Sequence, residues 1–183
     1  EAYRVETVGS RLIIAGSAGE RVQYAAAMFC EAAARSSLFC TQKNDNPVTQ
    51  GSGFSLSEIC VAPTELHYTG IDEASDVIVV SDDGFRELEE RGVFKKMLPG
   101  ACLILDESLG TPQSSATMVR FPLRSLCGGE KATLAAFMVY LRRTNIFGLG
   151  IYDEVVRKKF GSGSTVSPKE FYVALTSLSV TPQ

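Results

Sequence analysis

Residues 11–15 read Arg-Leu-Ile-Ile-Ala, a short unbroken apolar run of the kind that forms a strand covered on both faces. Gly16-Ser17-Ala18-Gly19 follows as a tight turn, and from Glu20 to Ser36 the positions Val22, Ala25, Ala26, Phe29, Ala32 and Ala33 recur at helical spacing. Strand, glycine turn and helix in that order open an α/β unit. Phe39-Cys40-Thr41 suits a second short strand, and the polar, Asn/Gly/Pro-rich stretch 42–53 reads as a loop of about a dozen residues, a length usually tied to function or disorder. Residues 55–61 alternate polar and apolar side chains, which predicts a strand with one wet face. Asp76-Val77-Ile78-Val79-Val80 is the strongest strand pattern. Asp82 or Asp83 can cap the helix that runs from there to Glu90, with Gly92 as its stop. Leu98-Pro99-Gly100 turns the chain into a buried strand at 101–105, and 117–121 predicts a final one.

Beyond Gly128-Gly129 the pattern becomes helical. Leu134, Phe137, Met138 and Leu141 form one stripe of a helix over 131–144, and a second helix covers 151–160. Gly161-Ser162-Gly163-Ser164 is a joint. Ser167-Pro168-Lys169-Glu170 carries a capping-box pair and a proline at the first helical position, so a third helix opens there. The expected architecture is a single three-layer α/β/α, Rossmann-like domain over 1–183. Its sheet is mostly parallel or mixed, its core spans about 10–128, and a helical C-terminal part spans about 129–183. Phe147, Ile151, Tyr152, Phe171 and Tyr172 are the expected site of an apolar surface left for a partner.

Composition narrows the chemistry. A chain of 183 residues that is 45% hydrophobic and 21% charged can bury a real core. Lys+Arg 18 against Asp+Glu 21 gives a net charge of −3, no electrostatic footprint for nucleic acid or a membrane surface. No apolar run reaches spanning length, and no signal-peptide pattern opens the chain. Cys30, Cys40, Cys60, Cys102 and Cys127 contain no Cys-x-x-Cys pair, so zinc-ribbon and iron–sulfur ligation have no starting point. They read as reduced, buried structural thiols in a cytoplasmic protein that carries no metal. His67 is the only histidine and lies in a loop-like stretch, where a solvated side chain is the expectation.

The glycine turn is the one place that points at a ligand, because free N–H groups at a helix N-terminus attract anions. Gly16-Ser17-Ala18-Gly19-Glu20-Arg21 departs from the dinucleotide fingerprint. Ala18 puts a Cβ where a pyrophosphate needs bare backbone, Arg21 replaces the third glycine, and Glu20 brings a competing carboxylate. Asp106 and Ser108, at the carboxyl end of a strand, could face a ligand crevice, with a solvated strand-to-loop junction as the plainer expectation.

In the order of its motifs, over about residues 10–160, the chain resembles the gamma subunit (gamma-type domain) of 2-oxoacid:ferredoxin oxidoreductases, as a divergent member. The family's G-x-G-G-Q-G-V turn corresponds to Gly16-Ser17-Ala18-Gly19-Glu20-Arg21-Val22, followed by an alanine-rich helix. Its R-G-G-like turn corresponds loosely to Gln50-Gly51-Ser52-Gly53. Its Ala-Asp strand entry corresponds to Ala74-Ser75-Asp76-Val77, and its Leu-x-Pro-Gly-Gly segment to Lys96-Met97-Leu98-Pro99-Gly100-Ala101. The turn lacks the family's Gln and two of its glycines, and Lys131-Ala132 stands where the family has Asn-Met.

The resemblance implies a non-catalytic subunit with no cofactor of its own. Thiamine diphosphate and iron–sulfur clusters would sit on alpha, beta and delta-type partner subunits, and coenzyme A would be a substrate of the whole. Electrons would pass to ferredoxin through the complex, which oxidatively decarboxylates a 2-oxoacid such as pyruvate to acyl-CoA. The residues it marks for a ligand or a subunit interface are Gly16, Ser17, Gly19, Gln50 and Gly51. A homodimer is also compatible. The competing reading of the residues is a stand-alone Rossmann-like nucleotide or small-molecule binding protein.

Overall fold

The computed structural model describes residues 9–47, 53–67, 69–160, 169–171 and 173. In chain order its elements are β1 (Ser10–Ser17), α1 (Val22–Arg35), β2 (Phe39–Asp45), β3 (Phe54–Ala62), β4 (Asp76–Val79) and α2 (Asp82–Glu90). A 3₁₀ turn (Val93–Lys95), β5 (Cys102–Asp106), β6 (Thr117–Phe121), α3 (Leu123–Cys127), α4 (Gly129–Thr144) and α5 (Leu149–Phe160) complete them. The strands form one mixed sheet in the order β2-β3-β1-β4-β5-β6. β1, β4, β5 and β6 run parallel, while β3 is antiparallel to both of its neighbours, β1 and β2.

The apolar run in β1 is explained by its two covered faces. Leu12 and Ile14 enter the core under α1, α4 and α5, while Ile13 and Ala15 enter the core under α2. The α/β/α layering expected from the sequence is therefore the one observed. The α1 side is aromatic: Phe29 stacks on Phe137 at 4.7 Å between centroids and touches Phe147 at 5.1 Å, with Tyr140 and Tyr152 around it. The α2 side is built chiefly from Val77, Val79, Leu88, Leu103 and Leu105, with Phe94 closing it.

Several local expectations change. The loop expected over 42–53 yields four residues to β2, which extends to Asp45 because each pairs with β3. β3 has no wet face along most of its length: even Ser57 is fully buried, its hydroxyl donating to Asn44 Oδ1 at 2.7 Å. α2 starts on Ser81, and Asp82 and Asp83 occupy its first turn rather than the cap. The helices after Gly128 do not stand apart, since α4 buries ten consecutive residues, Ala132 to Leu141, against the sheet, α1 and α5. Phe147 and Tyr152 are 1% and 0% exposed, so the apolar surface expected there is core instead. The helix expected from Ser167 is described only at 169–171 and 173. Among the described residues, no helix is long and apolar enough to cross a membrane.

Candidate functional site at the carboxyl ends of β1, β4 and β5

After β1 the chain crosses one face of the sheet through α1 toward β2; after β4 it crosses the other face through α2 toward β5. The connections leave neighbouring strands in opposite directions, and that divergence opens a crevice between the carboxyl ends of β1 and β4. The glycine turn lies on it. Gly16 is required by packing: a Cβ there would lie 2.8 Å from Val22 Cγ2 and from Val80 Cγ2. Gly19 is required by conformation, with φ +84°. Arg21, the residue before α1, is itself left-handed at φ 57° and makes no side-chain cap. Ala18 N–H donates to Gly53 O at 2.8 Å, so the end of the 42–53 segment packs on the turn.

The crevice is closed by polar side chains of the chain itself. Ser17 Oγ and Ser81 Oγ hydrogen-bond at 2.8 Å, joining β1 to the start of α2. Glu20 folds back so that Ser17 N–H donates to its Oε2 at 3.4 Å. Its Oε1 accepts from Arg124 Nη1 at 2.6 Å, and the two side chains are 15% and 34% exposed. The same Nη1 also reaches Val80 O at 3.4 Å. A Cβ on Gly129, the first residue of α4, would lie 2.9 Å from Glu20 Oε1, which puts this carboxylate at the N-terminus of α4. The anion that a helix N-terminus and a glycine turn attract is thus supplied in cis.

Asp106 completes the arrangement and corrects the expectation of a solvated junction. It is 1% exposed and fully bonded: Ser108 N–H and Oγ donate to Oδ1 at 3.0 and 2.5 Å, and Arg124 N–H donates to Oδ2 at 2.8 Å. Its role is to hold the start of α3, and with it Arg124, over the end of β5.

Of the residues marked from sequence, Gly16, Ser17 and Gly19 come together at this crevice, while Gln50 and Gly51 lie outside the described residues. Arg124, Ser81 and Gly84 were missed. Only Gly84 left a signal, a glycine early in a predicted helix; its Cβ would lie 2.6 Å from the Ala15 and Gly16 backbone, so α2 rests directly on β1. His67 is exposed, as expected. All five thiols are free, but only Cys60 and Cys127 are buried, while Cys30, Cys40 and Cys102 are half-buried. Among the described residues no group of three or more His, Cys, Asp or Glu side chains could hold a metal. Cavities elsewhere among the described residues include one of about 600 Å³ beside Arg11, Lys43 and Glu58 and one of about 630 Å³ at the amino ends of β1, β4 and β5, with Asp76 in its wall.

The crevice and layers define a Rossmann-like α/β protein. No family model matches the chain, and no curated protein matches it. Solved structures do. A keto/oxoacid ferredoxin oxidoreductase gamma subunit from Geobacter sulfurreducens superposes with a TM-score of 0.74 at 12% identity, over 92% of this chain and 97% of that one. A pyruvate oxidoreductase subunit from Thermotoga maritima gives 0.71 at 13% identity, over 92% and 94%. A 2-oxoglutarate:ferredoxin oxidoreductase from Magnetococcus marinus, solved with 2-oxoglutarate, coenzyme A and succinyl-CoA, gives 0.75 at 17% identity; the match covers 97% of this chain and 32% of that chain. This chain therefore has the fold of the gamma subunits and of one third of a larger oxidoreductase polypeptide, the fold its motif order resembles.

Proposed function

We propose that this protein is a divergent gamma-type subunit of a 2-oxoacid:ferredoxin oxidoreductase, a non-catalytic component that packs against the catalytic subunits and shapes the approach of coenzyme A and substrate. The carrying observation is the extent of the fold match: 92% of this chain against 97% of a keto/oxoacid ferredoxin oxidoreductase gamma subunit. In the proposed complex, thiamine diphosphate and iron–sulfur clusters belong to alpha, beta and delta-type partners. The assembly converts a 2-oxoacid and coenzyme A to acyl-CoA and carbon dioxide, with two electrons passed to ferredoxin.

The chemistry of the crevice fits a supporting part. Glu20 and Arg124 neutralise each other where a phosphate would otherwise sit, and Asp106 is consumed by structural hydrogen bonds. A phosphate does not fit the turn as it stands. Coenzyme A would meet this chain through the surface around Ser17 and Gly53, with no proton or electron moved by a side chain of the crevice.

The test is to tag the chain in its native host, purify it anaerobically, and record partners and the visible spectrum. Larger subunits with broad absorption near about 400 nm, as iron–sulfur thiolate clusters give, support the proposal. A colourless chain recovered alone overturns it. A melting-temperature screen with NAD, FAD, ATP and coenzyme A identifies the stand-alone binding alternative, since ligand at 100 times its dissociation constant adds about 2.7 kcal/mol.

A further inference from the structure

The cavity of about 600 Å³ beside Arg11 lies near the amino end of β1, at the opposite end of that strand from the glycine turn. Side chains alternate along β1, so Arg11 lies on the face of Ile13 and Ala15, the α2 side. Glu58 stands opposite Ile13 and Lys43 opposite Glu58, which brings both to that face. The segment leading to β4 supplies the rest of the wall, with Thr69, Ile71 and Asp72. The charges in this wall are unevenly used. Glu58 is occupied: its Oε1 accepts from Ile71 N–H at 3.2 Å, and its Oε2 lies 3.7 Å from Lys43 Nζ. Arg11 has no such partner. Among the described residues its guanidinium joins no ion pair, and its Nε is buried without a hydrogen-bond acceptor. Its backbone is nonetheless fixed: Arg11 N–H donates to Ser75 Oγ at 2.8 Å, and Ser75 N–H donates to Arg11 O at 2.9 Å. A cation held in place with a buried donor unmet carries a desolvation cost that nothing in the chain offsets.

We propose that this cavity is a binding site for a small polar monocarboxylate, an amino acid or a sugar acid, whose carboxylate pairs with the Arg11 guanidinium. A volume of about 600 Å³ lies within the range of small-molecule sites. The planar fork of a guanidinium matches the two oxygens of a carboxylate, and the pair is strongest away from bulk water. The ligand is a monoanion rather than a phosphate dianion, because Glu58 and Asp72 stand in the same wall and repel further negative charge. Those two carboxylates accept hydrogen bonds from amino or hydroxyl groups, which sets the polar class of the ligand. Ile71 is the one apolar side chain in the lining, so an aliphatic or aromatic tail gains little there. The site is made by this chain alone and does not depend on assembly with other subunits.

The test titrates the full, isotope-labelled chain with glutamine, gluconate and inorganic phosphate at low ionic strength, followed by two-dimensional NMR. Glutamine or gluconate at millimolar concentration should shift the Arg11 Nε–Hε resonance and the amides of Thr69, Ile71 and Asp72 saturably, and phosphate should not. A response to glutamine alone assigns an amino acid, one to gluconate alone assigns a sugar acid, and a response to both supports the shared carboxylate chemistry. Arg11→Gln should weaken binding by at least about tenfold, the loss expected when a charge-assisted hydrogen bond is removed. Asp72→Asn, at an exposed position, should weaken the bound probe several-fold with the unfolding midpoint unchanged. No saturable shift with either carboxylate, a stronger response to phosphate, or unchanged affinity in Arg11→Gln overturns the proposal. If Arg11→Gln fails to fold, the titrations of the unmutated chain and of Asp72→Asn decide it.

Discussion

The two faces of the sheet are stabilised in different ways. On the α1 side a thick aromatic cluster centred on Phe29 is buried under three helices, and side-chain volume sets the packing. On the α2 side a single nine-residue helix lies close enough for Gly84 to rest on the backbone of β1, so the absence of a side chain sets it. The difference matters because the crevice lies between the two. The α1 side fixes where the glycine turn is held, and the α2 side fixes how near Ser81 comes to Ser17. One end of the crevice responds to lost volume, the other to added volume.

The largest effect should come from Phe29→Ala, which removes the ring touching four others at a fully buried position. Loss of about 3–5 kcal/mol in urea unfolding is expected; under 1 kcal/mol would mean the cluster can collapse and does not organise that face. Next comes Gly84→Ala. The new Cβ would meet the Ala15–Gly16 backbone at 2.6 Å, so α2 must move, at about 1–3 kcal/mol. A neutral result would show that the close approach on the α2 side is not tightly fitted.

Glu20→Gln should cost less, about 1 kcal/mol or below, because Arg124 is a third exposed and solvent screens the pair. Its sharper readout is a ligand: pyrophosphate should raise the melting temperature of the variant and leave the parent chain unchanged. If the parent responds equally, Glu20 does not fill the anion position. The smallest effect belongs to Asp76. Burial holds its carboxyl above the usual range, against the lowering pull of Ser75, Tyr140 and Arg143. In the window above the ordinary value of 3.8 the folded chain therefore holds more proton than the unfolded one, and stability falls as pH rises through it. Asp76→Asn should flatten that slope in melting curves between about pH 4 and pH 7; an unchanged slope would assign the dependence to other groups.

Legibility along the chain tracks how local the cause is. The runs at 11–15, 76–80 and 101–105 are apolar because both faces of those strands are covered, and each was readable as a strand. The first glycine turn was readable as well, since Gly19 answers to a backbone angle. The alternating pattern at 55–61 misled, because Ser57 and Glu58 look wet in sequence. Pairing on both sides of β3 and the acceptor on Asn44 let Ser57 be buried. Phe147 and Tyr152 misled in the same sense: apolar residues near a chain's helical end suit an interface as well as a core, and contact with Phe29 decided for the core.

The sequence by itself determined the order of the six strands and of α1, α2, α4 and α5 along the chain, the layered α/β/α class, and a glycine turn that departs from the dinucleotide fingerprint, because periodicity and missing Cβ atoms act over a few neighbours. Only the tertiary structure decided that β3 runs antiparallel inside an otherwise parallel sheet, that Glu20 meets Arg124, and that Ser17 meets Ser81. Those pairs are separated along the chain, and what joins them is the path of strands and helices around the sheet, which no local pattern of residues encodes.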